Sequence, residues 1–292
     1  MSNKYYLGID GGGTKTELLL RDQNGKDIKR LIVGPSNPND IGMEKSQLVL
    51  QDAVVKITEN VNCDSISTFA GIAGALTGNN KLELEKLFSK FGFNKFAVGS
   101  DVENIISLGL DDKDGIAVIM GTGVGTFKVI NGKSQKVASL GYLLEDGGSG
   151  YCIGRDGIKA YFNQQDGLGQ PTLITKEIEK RSDYDKENFL SNVYKGGKKY
   201  VASFSEQVFN ALRDGDKVAK NIVEKNVLTV VELVSKIAST MKKPIKMVFA
   251  GGITNDKYVV NCLLNSFNEQ YAMEFLTNTP MVEGAIKLAQ KL

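Results

Sequence analysis

The sequence of 292 residues predicts an α/β protein made of two related domains. Two glycine-rich turns, at residues 11–14 and 121–126, each lie between two apolar strands. The length exceeds the usual range of a single domain. Short matches between the two halves indicate that the second half repeats the first.

The internal repeat rests on three short matches. Two of them share one spacing, which is longer than the spacing between the glycine-rich turns, so the second copy is expected to carry an insertion. The matched pairs are residues 11–14 with 123–126, residues 69–71 with 249–251, and residues 102–103 with 282–283.

Each half is predicted to contain the same elements in the same order. A strand hairpin and a third strand come first, and helical sequence, a strand that ends in glycine, a helix, a short strand and a last helix follow. The third strand, the glycine-ended strand and the last helix lie at about 26–33, 65–71 and 102–110 in the first half, and at about 136–144, 245–252 and 281–291 in the second.

The charged segment at residues 111–115 marks the predicted domain boundary. We predict an N-terminal domain at 1–113 and a C-terminal domain at 114–292, with a helical insertion at about 151–214. The insertion is polar, has glycine-containing breaks and shows no strong apolar face, whereas the helical period over residues 217–241 predicts one long helix. The last helix can instead pack back on the N-terminal domain.

The two turns are suited to hold phosphate. Glycine permits positive φ and lets a phosphate approach backbone N–H groups, while threonine hydroxyls add donors. A strand rather than a helix follows each turn, so each turn closes a β-hairpin. The Walker pattern is excluded because Thr14 separates Gly13 from Lys15.

Composition narrows the function classes. Lysine plus arginine (36) nearly balances aspartate plus glutamate (34), so neither nucleic acid nor a membrane is an expected partner. The sequence has no histidine, which excludes histidine bases and histidine-ligated metals and leaves proton transfer to carboxylates.

Cys63, Cys152 and Cys262 lie far apart, and no signal peptide or membrane span is visible, so we expect a cytoplasmic protein.

The order of motifs resembles the actin-like ATPase superfamily of sugar kinases, chaperone ATPases and actin. Within it, residues 10–16 (Asp-Gly-Gly-Gly-Thr-Lys-Thr) and 144–150 (Leu-Glu-Asp-Gly-Gly-Ser-Gly) are similar to the N-acetylglucosamine kinase and BadF/BadG-type ATPase family. This resemblance covers essentially the whole chain. It implies two duplicated actin-like (ribonuclease H-like) domains with a nucleotide cleft between them, and ATP and Mg²⁺ as cofactors. ROK-type sugar kinases are less similar, because their cysteine and histidine zinc motif is absent.

The resemblance implies roles for residues on the nucleotide side. Asp10 would hold Mg²⁺ through water, although a carboxylate there can also serve only to order the glycine turn. Lys15 would meet a phosphate or remain solvated on the hairpin. The implied ATP and phosphate contacts are Gly11, Gly12, Gly13, Thr14, Lys15, Thr122, Gly123, Gly251 and Gly252.

Asp101 is the predicted catalytic residue. It follows an apolar strand and begins a helical segment, and the family's general base occupies this strand-to-helix position. The alternative is an ordinary helix cap, since Ser100-Asp101 before a helix is a common N-terminal signal.

The resemblance also implies a sugar side, where local alternatives exist for several residues. Asn37 is also a typical turn former, and the glycines after the strand near residue 71 can serve tight packing alone. The segment at 139–141 and the altered acid pattern at 145–147 depart from the family on this side. The implied sugar contacts are Asn37, Gly71, Ala73, Gly74, Val124, Gly125 and Asp146.

The leading hypothesis is an ATP-dependent kinase that phosphorylates a small-molecule amino sugar. The first candidate substrate is N-acetylglucosamine, phosphorylated at its 6-hydroxyl. One alternative is an ATPase activator similar to the BadF/BadG proteins, which would share an iron–sulfur cluster across a dimer. Another is a sugar-sensing protein without turnover. A homodimer is an open expectation, because helical insertions in such folds often dimerise.

Overall fold

The computed structural model describes residues 4–111, 113–144, 147–267 and 271–292. It divides into two compact units. One comprises Met1–Asp112 and Thr279–Leu292, and the other comprises Lys113–Asn278.

Each unit contains one mixed five-stranded sheet. The strands of the first are β1 (Tyr5–Gly11), β2 (Thr16–Asp22), β3 (Asp27–Val33), β4 (Ile66–Ile72) and β5 (Lys95–Gly99). The strands of the second are β6 (Gly115–Met120), β7 (Val124–Ile130), β8 (Lys133–Val137), β9 (Lys246–Ala250) and β10 (Ala272–Phe275).

Helices fill the connections between the strands. In the first unit they are α1 (Pro38–Ile41), α2 (Met43–Thr58), α3 (Asn80–Phe88) and α4 (Asp101–Gly109). In the second they are α5 (Gly150–Gln165), α6 (Leu173–Glu179), α7 (Phe189–Ser203), α8 (Ser205–Arg213), α9 (Lys217–Ala238) and α10 (Lys257–Phe267). The last helix is α11 (Val282–Gln290), and short 3₁₀ helices span Cys63–Ser65, Ser89–Phe91 and Gly252–Asn255. No helix in the described ranges is both long enough and apolar enough to cross a membrane.

The two sheets have equivalent strand orders. The first is β3-β2-β1-β4-β5 and the second is β8-β7-β6-β9-β10. In each, three antiparallel strands form a meander, and the first strand of the unit then pairs in parallel with a strand that comes later in the chain. The predicted repeat is therefore visible as a repeat of topology.

The third strand of the second sheet lies earlier than the predicted 136–144. β7 and β8 are joined by a two-residue turn, Asn131-Gly132, in which both residues have positive φ (51° and 72°). Asparagine followed by glycine is the preferred sequence of a tight hairpin turn, because both residues tolerate this conformation. The strand ends at Val137, since Ala138 and Ser139 also have positive φ.

The insertion has a buried side that the sequence pattern did not reveal. Phe189 and Phe204 are each 1 % exposed, and the Phe189 ring centroid lies 5.0 Å from that of Tyr161. Helices α5 to α8 share one core with α9 and the second sheet. The buried residues are spread over several short helices, so that none of these helices shows a long apolar stripe. One of the predicted glycine-containing breaks is present as non-helical backbone at Gly197.

The last helix, α11, belongs to the first unit and packs on β1, β4 and α4. A Cβ atom on Gly284 would lie 1.9 Å from the carbonyl oxygen of Asn104, so the helices touch through their backbones. Ionic contacts hold the start of α11 as well. Arg21 donates to both carboxylate oxygens of Glu283 at 2.9 and 3.1 Å, and Arg30 donates to Glu283 at 3.3 Å.

We expect Gly284→Ala to lower the free energy of unfolding by about 1–3 kcal/mol, because a methyl group cannot fit against a fixed backbone oxygen. Denaturant unfolding followed by circular dichroism measures this. Gly34→Ala is the control in the same unit, since no heavy atom lies within 4 Å of its Cβ position, and it should change stability by less than about 0.5 kcal/mol. Equal effects of the two substitutions would contradict the close packing of α11 on α4.

Candidate active site

Parallel pairing brings three strand ends of the first unit together. Asp10 on β1 is opposite Gly71 on β4, and Gly71 is opposite Gly99 on β5. Because the carboxyl ends of parallel strands meet at one edge of a sheet, the residues that follow these strands are neighbours. Asp10, the segment after Gly71 and the Ser100-Asp101 pair therefore converge at this edge.

Asp10 is a partly buried carboxylate at the end of β1. Burial raises its pKa to about 6, the hydrogen bond from Asn104 opposes this rise, and the carboxylates of Asp101 and Glu17 add to it. The Asn104 amide donates to Asp10 Oδ1 at 2.8 Å. A cation at this point would favour the ionised carboxylate of Asp10. The described residues contain no group of three or more acidic or cysteine side chains that could hold a metal ion, but Mg²⁺ needs only one or two protein carboxylates beside substrate phosphates, and Asp10 fits that requirement.

The turn between β1 and β2 has the predicted hairpin geometry. Gly11 pairs with Thr16, and the Gly12 N–H donates to the Lys15 carbonyl oxygen at 2.9 Å. Thr14 and Lys15 are exposed at the tip of the turn next to Gly13. The Lys15 ammonium lies 3.6 Å from the Glu17 carboxylate and is 60 % exposed, so it is accessible to an anionic ligand.

Asp101 occupies the first position of α4, and its neighbours cap the helix. The Ser100 hydroxyl accepts from the Val102 N–H at 3.3 Å, and the Glu103 carboxylate accepts from the Ser100 N–H at 3.0 Å. The Ser100 side chain also accepts from the Glu103 N–H, and this contact forms a capping box with the one from the Ser100 N–H to the Glu103 carboxylate. The cap predicted as the alternative role of Asp101 is therefore supplied chiefly by Ser100.

The Asp101 carboxylate is also held in place. Its Oδ1 accepts from the Ser100 hydroxyl at 3.0 Å and from the Val102 N–H at 3.1 Å. Burial raises the pKa of Asp101, and these two hydrogen bonds oppose the rise. The carboxylate is therefore fixed in orientation and more basic than that of an ordinary aspartate.

The predicted sugar-side residues of the first unit lie next to the turn between β1 and β2. Asn37 Oδ1 accepts from the Asn39 N–H at 3.0 Å and so caps α1, which is the turn-forming role considered as its alternative. The Asn37 N–H donates to the Gly12 carbonyl oxygen at 3.3 Å, and the Ala73 N–H donates to that of Gly11 at 2.7 Å. A Cβ on Gly74 would lie 2.4 Å from Asn37 Oδ1.

The second unit repeats this arrangement at the end of β6. The Gly121 N–H donates to the Gly123 carbonyl oxygen at 3.0 Å, and the first N–H groups of α5 donate to the carbonyl oxygens of Gly121 and Thr122 at 2.8 and 3.1 Å. The Thr122 side chain is exposed. Val124 and Gly125 begin β7 directly after this turn.

Gly251 and Gly252 lie at the same edge as the Gly121 turn, because β9 pairs in parallel with β6. Gly251 has a φ of +104°, and a Cβ there would lie 2.4 Å from the Met120 carbonyl oxygen. Gly252 has open space at its Cβ position. The fold thus accounts for glycine at 251 but not at 252, where close approach of a ligand would account for it.

Asp146 and Glu145 lie outside the described residues, but the segment just after them is anchored. The Gly148 N–H donates to Asn226 Oδ1 at 3.1 Å, and the Ser149 hydroxyl caps α5 by accepting from the Cys152 N–H at 3.2 Å.

Two residues next to Asp10 belong to no motif of the sequence. Asn104 donates to it, and Glu17 is its direct cross-strand partner. The signal for Asn104 was a polar residue three positions after Asp101, on the same face of the predicted helix.

The model of the BadF/BadG/BcrA/BcrD ATPase family matches residues 7–286. The chain belongs to this family. The predicted family is therefore confirmed, and use of ATP follows from membership in an ATPase family. Over 282 residues, 91 % of this chain and 90 % of the relative, the chain is 30 % identical to an N-acetylmuramic acid/N-acetylglucosamine kinase of Clostridium acetobutylicum.

Two further similarities agree with the family assignment. The chain is 25 % identical over 304 residues to an N-acetyl-D-glucosamine kinase of Dictyostelium discoideum, with 96 % of this chain and 95 % of the relative covered. A crystal structure from Chromobacterium violaceum, provisionally named an N-acetylglucosamine kinase, matches with a TM-score of 0.80 at 18 % identity and covers 98 % of this chain and 99 % of that one. The predicted fold class of two actin-like α/β domains is confirmed.

The adjacent glycines 251 and 252 allow a matched test of the nucleotide side. Gly251→Ala should lower the free energy of unfolding by about 1–3 kcal/mol, because alanine is strained at this φ. Gly252→Ala should leave stability within about 0.5 kcal/mol but weaken ATP binding roughly tenfold, because its methyl group would occupy the space of the ligand. Denaturant unfolding and calorimetric titration with ATP measure the two effects. Unchanged ATP affinity in Gly252→Ala would mean that the nucleotide does not lie against this residue.

Proposed function

We propose that this chain is an ATP-dependent kinase that phosphorylates an amino sugar, with N-acetylglucosamine at its 6-hydroxyl as the first acceptor. The observation that carries the proposal is the Asp101 carboxylate. It is oriented by Ser100 and Val102, made more basic by burial, and located at the strand edge that also holds Asp10 and the glycine turn. The names of the two relatives in Clostridium acetobutylicum and Dictyostelium discoideum support an amino-sugar acceptor.

Asp101 acts as the general base in this proposal. A sugar hydroxyl within hydrogen-bond reach would donate its proton to the carboxylate as its oxygen attacks the γ-phosphorus of ATP. The bond from that phosphorus to the oxygen bridging to the β-phosphate would break, and ADP would leave with that oxygen. The fixed orientation of the carboxylate lowers the entropic cost of aligning this hydroxyl.

Asp10 would hold Mg²⁺ through water in this proposal, which its position at the end of β1 and the raised pKa of its buried carboxyl support. The ion, when bound, offsets the charge of the β and γ phosphates. Lys15 and the hydroxyl of Thr14 contact phosphate from the first turn, together with Gly11, Gly12 and Gly13. In the second unit, Thr122, Gly123, Gly251 and Gly252 are the proposed nucleotide contacts.

The sugar contacts remain a proposal for residues in both units. Asn37, Gly71, Ala73 and Gly74 are supported by their position beside Asp10 and Asp101 in the first unit. Asp146 is proposed with Val124 and Gly125 in the second. That the protein acts in the cytoplasm and forms a homodimer also stays a prediction.

The activator alternative requires cysteines that can meet across a subunit interface. Cys152 is fully buried in α5, and the partly exposed Cys63 and Cys262 lie in different units. This placement does not favour a shared iron–sulfur cluster, so the kinase is the function that we propose.

We expect Asp101→Asn to lower kcat by about 10²–10⁴ while ATP affinity is retained, because an amide keeps the shape but cannot accept the proton. ADP and sugar phosphate are measured together with N-acetylglucosamine, glucosamine, N-acetylmannosamine, N-acetylmuramic acid and glucose. Sugar-dependent turnover that the substitution abolishes supports the kinase. ATP hydrolysis that is indifferent to every sugar would instead support the activator.

The pH profile reports the ionisation of Asp101 together with that of Asp10, whose pKa burial raises to about 6. Asp101 must be ionised to accept a proton, and burial raises its pKa above the usual 3.8 of an aspartate. We therefore expect kcat/KM to fall as the pH is lowered through this raised pKa, so that activity is lost at a higher pH than an exposed aspartate would require. A profile whose acid limb lies at or below 3.8 would contradict this assignment.

A further inference from the structure

Asn104 is a fully buried polar residue beside the proposed site. Its side chain lies on α4 and is 0 % exposed. The amide nitrogen donates to Asp10 Oδ1 at 2.8 Å, which links α4 to the end of β1. The amide oxygen has no hydrogen-bond partner in the part of the chain that the structure describes.

The position of Asn104 on the helix connects two carboxylates. Residues three apart on an α-helix share one face, so Asn104 and Asp101 project from α4 in similar directions. Asp101 is the proposed base. Asn104 donates a hydrogen bond to Asp10, the carboxylate proposed to hold Mg²⁺. One turn of α4 thus connects the proposed base, Asp101, to the residue that contacts Asp10.

Two glycines leave the amide little freedom to move. A Cβ on Gly71 would lie 2.4 Å from Asn104 Oδ1 and 2.5 Å from Nδ2, so the amide packs directly against the β4 backbone. A Cβ on Gly284 would lie 1.9 Å from the Asn104 carbonyl oxygen, so α11 packs against the same residue from its backbone side. Gly71 is also the direct neighbour of Asp10 in the sheet.

Packing alone does not account for an asparagine here. A buried amide oxygen without a partner costs free energy, and leucine would fill a similar volume without that cost. An aspartate would place a second negative charge against Asp10. Only a neutral donor of this size can hold the Asp10 carboxylate without repelling it.

We propose that Asn104 is a positioning residue that fixes the orientation of the Asp10 carboxylate relative to Asp101. The inference rests on the proposed kinase function for its effect on turnover, but the hydrogen bond to Asp10 predicts an effect on nucleotide binding as well. Because in-line transfer depends on the alignment of acceptor and phosphate, loss of the contact should affect kcat more than the KM for sugar.

The test compares Asn104→Leu and Asn104→Ala with Ser107→Ala. Ser107 lies one turn further along α4, is 2 % exposed and has no partner for its hydroxyl among the described residues, which makes it a matched control for disturbing the same helix. We expect both Asn104 variants to lose about 10- to 100-fold in kcat, with the KM for N-acetylglucosamine within about twofold of the wild type. Ser107→Ala should retain both values.

A second measurement does not depend on turnover. The affinity for ADP is determined by calorimetry with Mg²⁺ and with a chelator, in the absence of sugar. Mg²⁺ should strengthen ADP binding to the wild type and to Ser107→Ala, and this gain should shrink in both Asn104 variants. Melting curves establish that each variant is folded. If Asn104→Leu is not folded, the comparison is made with Asn104→Ala alone.

The outcomes separate the two ideas. A wild type without sugar-dependent turnover would refute the kinase, while the calorimetry would still test Asn104. A folded Asn104 variant that keeps both the wild-type kcat and the full Mg²⁺ gain would overturn the positioning role. A wild type whose ADP affinity ignores Mg²⁺ would overturn it too, because Asp10 would then have no cation to face.

Discussion

The candidate site of the first unit depends on the register of three parallel strands. Asp10, Gly71 and Gly99 form one row across β1, β4 and β5, so the residues that follow these strands emerge side by side. A shift of one residue in either pairing would turn Asp10 to the opposite face of the sheet or displace Asp101 along it. The buried apolar residues of β1 and β4 fix this register, since most of them are inaccessible to water.

Hydrogen bonds stabilise the partly buried carboxylates at this edge of the sheet. Burial raises the pKa values of both Asp10 and Asp101, and each carboxylate receives donors that partly offset this cost: the Asn104 amide for Asp10, and the Ser100 hydroxyl with the Val102 N–H for Asp101. Two partly buried acids near each other do not improve packing. In the proposed function, Asp101 serves as the base and Asp10 as the cation site.

Local signals in the sequence predicted most of the backbone. The glycine turns predicted two hairpins, and the apolar period predicted the long helix that the structure has at Lys217–Ala238. The strand predicted at 136–144 lies instead at Lys133–Val137. The Asn131-Gly132 turn that joins it to β7 is a hairpin signal in the sequence. The core of the insertion was missed, because its members are aromatic residues on separate short helices that meet only in three dimensions.

The sequence by itself determined the family, the two-domain α/β class and the motif residues, because glycine runs, helix caps and apolar periods act on the backbone within a few residues. Only the tertiary structure decided that Asn104 reaches Asp10, that Gly284 lets α11 touch α4, and that Gly251 is required by the fold while Gly252 is not. These contacts join residues that lie far apart in the sequence. Their distances depend on how sheets and helices pack, which no local pattern records.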